Sequence, residues 1–130
     1  MAHNNGVVLV VLAVEDAQRA AAFYRGVFQW PVLVEVPVYV ELQAGAVRVG
    51  LYQRDGFGRN TGAVPTVVAR GALAPSELYV HVERPEDVME RLRRHGAREL
   101  SGWQRRDWGD DAAYFADGDG HVVVVARPAG

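Results

Sequence analysis

Hydrophobic and polar positions in this chain fall into blocks, and the blocks come twice. Residues 7–14, VVLVVLAV, form an apolar run closed by Glu15 and Asp16. Behind them Ala20, Phe23, Tyr24, Val27 and Phe28 recur at the i, i+3, i+4, i+7, i+8 spacing of a helix with one buried face. Asp16 stands where a side-chain oxygen can cap the first free backbone N–H groups, and Gly26 weakens the helix near its end. The same order returns in ELYVHVERPEDVMERLRRHGA, a strand ending at Val82-Glu83 and then a helix. Pro85 suits the first turn of that helix. Glu86 and Asp87 suit its positive end, Arg91, Arg93, Arg94 and His95 its negative end, and Gly96 its stop. Val88, Met89 and Leu92 supply its apolar stripe.

Three strands are predicted after each helix. In the first half they lie near PVLVEV, VYVEL and AVRVGLY; in the second, near AREL, AAYFA and HVVVVAR, with Asp117–Gly120 (DGDG) as the turn between the last two. The pattern is strand-helix-strand-strand-strand, twice. It predicts one domain over residues 1–130, with a first module at about 6–54, a connecting loop at about 55–75 and a second module at about 76–128. A helix on one face of a four-stranded sheet leaves the other face uncovered. The expected fold class is therefore α+β: two βαβββ modules forming a curved eight-stranded sheet, helices outside, with an open cleft suited to a small molecule.

Composition narrows the choices. A chain of 130 residues supports one real core but not two independent ones. With 49% hydrophobic and 23% charged residues it is a globular rather than a disordered sequence. A net charge of -2 gives no reason to expect nucleic acid or an anionic membrane as a partner. The absence of cysteine excludes disulfides, Cys-ligated zinc and a thiol nucleophile. No apolar run approaches the roughly 20 residues that span a bilayer. MAHNNGVVLVVLAVED has no basic n-region and is expected to be a strand, not a signal peptide. The expected setting is the cytoplasm.

Candidate chemistry gathers on one short stretch, SELYVHV. Alternate side chains of a strand share a face, so Glu77, Tyr79 and His81 point together. By the same alternation Leu9, Val11 and Ala13 share the cleft face, whereas Val8, Val10, Leu12, Val14, Leu78, Val80 and Val82 are expected to pack under the helices. A polar trio opposite an apolar wall is a way to line a ligand pocket. Glu77 and His81 lie about 13 Å apart along a strand, so they act together only through a ligand or water. Each is a candidate general base. DGFGRNTG is glycine-rich without the spacing of a phosphate loop, and is expected to be a flexible loop beside the cleft with Phe57 as a lid. Ser76 and Ser101 are the only serines and neither sits in a G-x-S-x-G setting, which excludes a serine hydrolase of that type.

The repeated organisation, with LAVEDAQRAAAFYRGVFQW in the first half and VERPEDVMERLRRHGA and WGDDAAYFADGDGH in the second, resembles the glyoxalase/bleomycin-resistance/dioxygenase (vicinal-oxygen-chelate) superfamily. The resemblance covers nearly the whole chain; Gly118 departs from its usual Asp-Pro-Asp-Gly turn. Many enzymes of that superfamily hold a divalent metal through one residue from each of four strands. Carried onto this chain, those positions are Leu9, Val49 (a shift of one or two gives Gly50 or Leu51), Glu77 and Val124. Leucine and valine cannot coordinate a metal, so the resemblance implies neither a metal nor a cofactor here. In drug-binding members, aromatic residues at the cleft mouth stack on planar ligand groups. Trp103 and Trp108 are candidates for this, with Trp108 the expected structural one because it sits in the superfamily's Trp-Gly turn.

Three functions follow as expectations. The first is metal-free binding of a small aromatic or amphipathic molecule, of the antibiotic-sequestering type, through Val11, Val49, Phe57, Glu77, Tyr79, His81, Trp103 and Trp108. The second is a lyase, isomerase or dioxygenase-type enzyme (lactoylglutathione-lyase-like), metal-independent or with a relocated metal, with Glu77 or His81 as base. The third is a regulatory or structural homodimer, since members commonly dimerise and open sheet edges favour pairing.

Overall fold

The structure, a computed structural model, describes residues 6–130. The first five residues of the predicted N-terminal strand lie outside the described residues. The chain forms two compact units, one up to residue 66 and one over residues 67–130. Each repeats the predicted order, and each holds one four-stranded sheet.

The first unit comprises β1 (Leu9–Val14), α1 (Ala17–Phe28), β2 (Val32–Val36), β3 (Tyr39–Ala44), β4 (Val47–Gln53) and α2 (Arg54–Thr61), with strand order β1-β4-β3-β2. Asp16 caps α1 as expected, its Oδ1 accepting from the backbone N–H groups of Gln18 at 3.0 Å and Arg19 at 3.1 Å. The end of β4 adds a third partner, since Gln53 Oε1 accepts from the Ala17 N–H at 3.2 Å. The helix then buries Ala17, Ala20, Ala21, Tyr24 and Val27. Against it stand Leu12, Val14, Val40, Leu42, Val49 and Leu51, all buried, and contacts of α1 with β3 and β4 close this core, whereas Val8 and Val10, expected under the helix, are exposed around the start of β1. Strand alternation leaves Val11, Ala13, Tyr39, Glu41, Gly50 and Tyr52 on the opposite face.

The second unit comprises β5 (Glu77–His81), α3 (Pro85–Arg94), β6 (Arg98–Arg105), β7 (Asp110–Ala116) and β8 (Val122–Pro128), ordered β5-β8-β7-β6. Val88, Met89 and Leu92 of α3 are buried, as the stripe predicts, and Gly96 stops the helix at a φ of 85°. The Asp117–Gly120 turn also forms where expected. Asp117 Oδ1 accepts from the N–H groups of Asp119 and His121, both at 2.9 Å, and the β7–β8 ladder runs out from it.

Residues 54–61 depart from the expected flexible loop. They form helix α2, ended by Gly62 at a φ of 88° with its N–H on the Gly58 carbonyl at 2.9 Å. Two glycines in eight residues argue against a helix by propensity alone. Packing overrides that: Gly56 lies so close to the Tyr52 ring that any Cβ there would strike it, and Gly58 meets Val64 in the same way. Among the described residues no helix is long and apolar enough to cross a membrane.

Candidate functional site

In the first unit the face away from α1 carries a pocket of about 330 Å³ lined by Val11, Tyr39, Tyr52, Phe57, Asn60 and Thr61. β1 supplies Val11, β3 and β4 the two tyrosines, and α2 the rest. The tyrosine rings meet edge to face, 5.4 Å between centroids at 78°. Asn60 Nδ2 donates to the Tyr52 hydroxyl at 3.3 Å, and Thr61 Oγ1 donates to the Phe57 carbonyl at 3.0 Å. Of the sequence-predicted residues this brings Val11 and Phe57 together, Phe57 as part of a helical wall rather than a loop tip.

Val49 is placed elsewhere. It is 1% exposed, in register with Val10 and Leu42 and so on the α1 side; its neighbour Gly50, in register with Val11 and Glu41, holds the pocket-side position. The one-residue difference moves the side chain to the other face because the strand period is 2. Gly50 is itself required there, since a Cβ would come 2.5 Å from the Tyr39 hydroxyl. That hydroxyl donates to Glu41 Oε1 at 2.6 Å, and Arg48 Nη1 donates to Glu41 Oε2 at 3.4 Å. Glu41 is only 8% exposed. Burial first, then the Glu41 hydrogen bond and charge, push the Tyr39 phenol far above its ordinary value, against an opposing effect of Arg48. Sequence reasoning missed this Tyr39–Glu41–Arg48 group, although the alternation of Val40 and Leu42 with Tyr39 and Glu41 signals it.

The second unit holds a polar cluster on the β5 face away from α3. Glu77, Tyr79 and His81 are exposed and share a face as predicted, alternating with the half-buried Leu78 and Val80. Beside Tyr79 in register stands Val124, and beside His81 stands Ala126; both are fully buried with Ala112, packed against Tyr114 and Val122. The cluster is organised by a residue that sequence reasoning did not single out, Asp110 at the start of β7. Its Oδ2 accepts from the Tyr79 hydroxyl at 2.6 Å and lies 2.8 Å from His81 Nε2. Trp108 Nε1 in turn donates to the Tyr79 oxygen at 2.7 Å. The Asp110 side chain is 13% exposed. Hydrogen bonds from Tyr79 and then His81 hold its carboxyl below the ordinary value. The Tyr79 phenol is raised, by burial and by its bond to Asp110, with the Trp108 N–H opposing. Glu77 stands apart from this hydrogen-bonded group; burial first and then the Glu77 charge raise the Tyr114 phenol, against Arg106, whose guanidinium lies 4.9 Å over its ring.

The two tryptophans differ in exposure. Trp108, in the turn before Gly109 (φ 95°), is 57% exposed. Trp103 lies within β6, half-buried, with Arg127 packed over it at 5.9 Å. Gln104 pairs with Ala112, so Trp103 takes the face opposite Tyr79 and His81.

The residues do not fit the divalent metal of the superfamily's enzymes. Leu9, Val49 and Val124 have no donor atom, and neither has Gly50 beside Val49. Among the described residues no three His, Asp or Glu side chains converge where they could hold an ion.

Two βαβββ units, each with an open polar and aromatic face, define a class of fold that comparison with known proteins identifies. The profile of the glyoxalase-like domain family matches residues 7–129, and the chain belongs to that family, within the glyoxalase/bleomycin-resistance/dioxygenase superfamily. Among solved structures it is similar to a glyoxalase-related enzyme from Fulvimarina pelagi, with a TM-score of 0.81 and 22% identity over 95% of this chain and 88% of that one. A glyoxalase/bleomycin resistance protein/dioxygenase from Nocardioides gives 0.75 and 16% over 99% and 87%. Lactoylglutathione lyase from Agrobacterium tumefaciens gives 0.70 and 18% over 96% and 95%. At these identities the likeness shows the fold. No curated protein sequence matches this one significantly.

Proposed function

We propose that this glyoxalase-like protein binds a small planar aromatic or amphipathic molecule, of the natural-product-sequestering type, without a metal. The observation that carries this reading is the pocket of Val11, Tyr39, Tyr52 and Phe57. Its walls are aromatic and apolar, and its polar atoms are few: the Tyr52 hydroxyl, Asn60 and Thr61. A volume of about 330 Å³ falls at the low end of ligand sites and suits a ligand of one or two rings. Stacking on such rings contributes about 0.5–1.5 kcal/mol beyond the area buried.

A panel of planar aromatic natural products, titrated by thermal shift and intrinsic fluorescence, tests it. Saturable binding is expected, and Val11→Trp, which fills the pocket from a half-exposed strand position, removes the part of it that belongs to this pocket. A panel with no binder, or binding that Val11→Trp leaves intact, overturns the reading.

The protein is further proposed to pair with a second copy. β2 is a sheet edge, and Leu33, Val34 and Val36 are all exposed along it, as is Val38 in the turn that follows. An exposed apolar edge strand is a template for pairing. Sedimentation should show a dimer that Val34→Lys with Val36→Lys converts to a monomer.

A further inference from the structure

We infer that Tyr79, His81, Trp108 and Asp110, all of the second unit, form a further ligand-binding group in which His81 Nδ1 is a fixed base for an acidic O–H or N–H on a planar aromatic molecule. The inference starts from the direction of each hydrogen bond. An ionised carboxylate only accepts, so the 2.8 Å contact requires the hydrogen on His81 Nε2. In the neutral ring the lone pair then sits on Nδ1. The His81 side chain is 56% exposed, so that nitrogen is within reach of a ligand.

The Tyr79 hydroxyl, the Trp108 N–H and Asp110 Oδ2 are already committed to one another and to His81 Nε2. The Tyr79 hydroxyl gives its proton to Asp110 and receives the Trp108 N–H. Trp108, Tyr79 and His81 are thereby locked in a row. Tyr79 stands edge-on to His81 at 5.6 Å between centroids and to Trp108 at 6.3 Å. What this row offers outward is aromatic surface and one basic nitrogen. Trp108 and Tyr79 are both exposed, although each carries a large apolar area that folding usually covers. A planar molecule laid on Trp108 with an acidic hydrogen toward His81 satisfies both features.

The proton step balances within the site. The ligand O–H or N–H bond breaks, its electron pair stays on the ligand oxygen or nitrogen, and the proton joins His81 Nδ1. The product pair is a ligand anion and an imidazolium whose Nε2–H faces the Asp110 carboxylate. His81 is the residue that touches the ligand. Asp110 is a positioning residue, and Tyr79 carries the orientation on to Trp108.

The probes are 2-naphthol, which carries the acidic hydrogen, and 2-methoxynaphthalene, which does not. Both are titrated by fluorescence quenching into a Val11→Trp protein, in which the first pocket is filled. The wild-type cluster should favour 2-naphthol over its ether by roughly two- to tenfold more than His81→Phe does, the range of one net hydrogen bond. Asp110→Ala should lose the same preference while still binding the ether, a ratio that a purely structural latch does not move. Trp108→Ala should weaken both probes equally. An unchanged preference in His81→Phe, or binding of neither probe, overturns this site. The first-pocket reading stands or falls separately, on the same probes in a Trp108→Ala protein with Val11 intact, where binding should persist and be lost on adding Val11→Trp.

Discussion

The Tyr39 hydroxyl donates to Glu41 Oε1 at 2.6 Å, between two residues of one strand that share its exposed-side face. This bond orients one wall of the aromatic pocket and supplies a donor to a carboxylate that is almost wholly buried. Arg48, the other donor to Glu41, is longer and largely in solvent. Four expectations follow, two from this pair and its neighbour Gly50, one from the α1 cap and one from Asp110.

Tyr39→Phe keeps the ring and removes the donor. A buried acceptor left short of a hydrogen bond costs about 1–3 kcal/mol, to be read from the urea midpoint. The phenol is raised in the fold, so its contribution is fully present below the ordinary tyrosine value and is lost only as pH rises through the folded one. In an alkaline absorbance titration, Tyr39→Phe should therefore delete the most alkaline step.

Gly50→Ala tests the space beneath that hydroxyl. The added methyl would meet the Tyr39 oxygen at 2.5 Å and ring carbons at 2.7 and 2.9 Å. The ring must swing away, at a cost of about 1–3 kcal/mol for overpacking, and ligand affinity at the pocket should fall with it. Unchanged stability and affinity together would show that the ring is not held there.

Asp16→Ala removes the cap of α1 while touching neither candidate site. A loss of about 0.5–2 kcal/mol in denaturation is expected, with probe binding unaltered once the protein is folded. The residual bond from Ala17 to Gln53 places the effect toward the lower end.

Asp110 should mark the acid limb of stability. Its carboxyl is lowered by Tyr79 first and His81 second, so its contribution is present above the ordinary value of 3.8 and is lost as pH falls through the folded value. Melting temperature against pH should drop less steeply below the ordinary carboxylate range in Asp110→Asn than in wild type. Parallel curves would separate Asp110 from acid unfolding.

Local features were readable because their causes are local. The Asp16 cap, the Tyr24 and Val27 stripe, the Pro85 start, the Gly96 stop and the Asp117–Gly120 turn each depend on neighbours within a turn or two of chain. Helix α2 was not readable, since Gly56 and Gly58 lower helix propensity and only the Tyr52 ring and Val64 packed against them explain its formation. The superfamily's metal positions were readable as far as residue type: Leu9, Val49 and Val124 have no donor atom wherever they point.

The sequence by itself thus determined two βαβββ units, their helix faces, and the common face of Glu77, Tyr79 and His81. Tertiary structure alone decided which partners those faces meet. A tight turn sets the register of β7 on β8, but between β5 and its partner β8 the chain passes through α3, β6 and β7, and no turn sets that register. That register is what brings Asp110 of β7 against Tyr79 and His81 of β5. For the same reason Gly50 rather than Val49 lies beside Val11: strand period assigns a residue to a face, and only the ladder assigns it a neighbour.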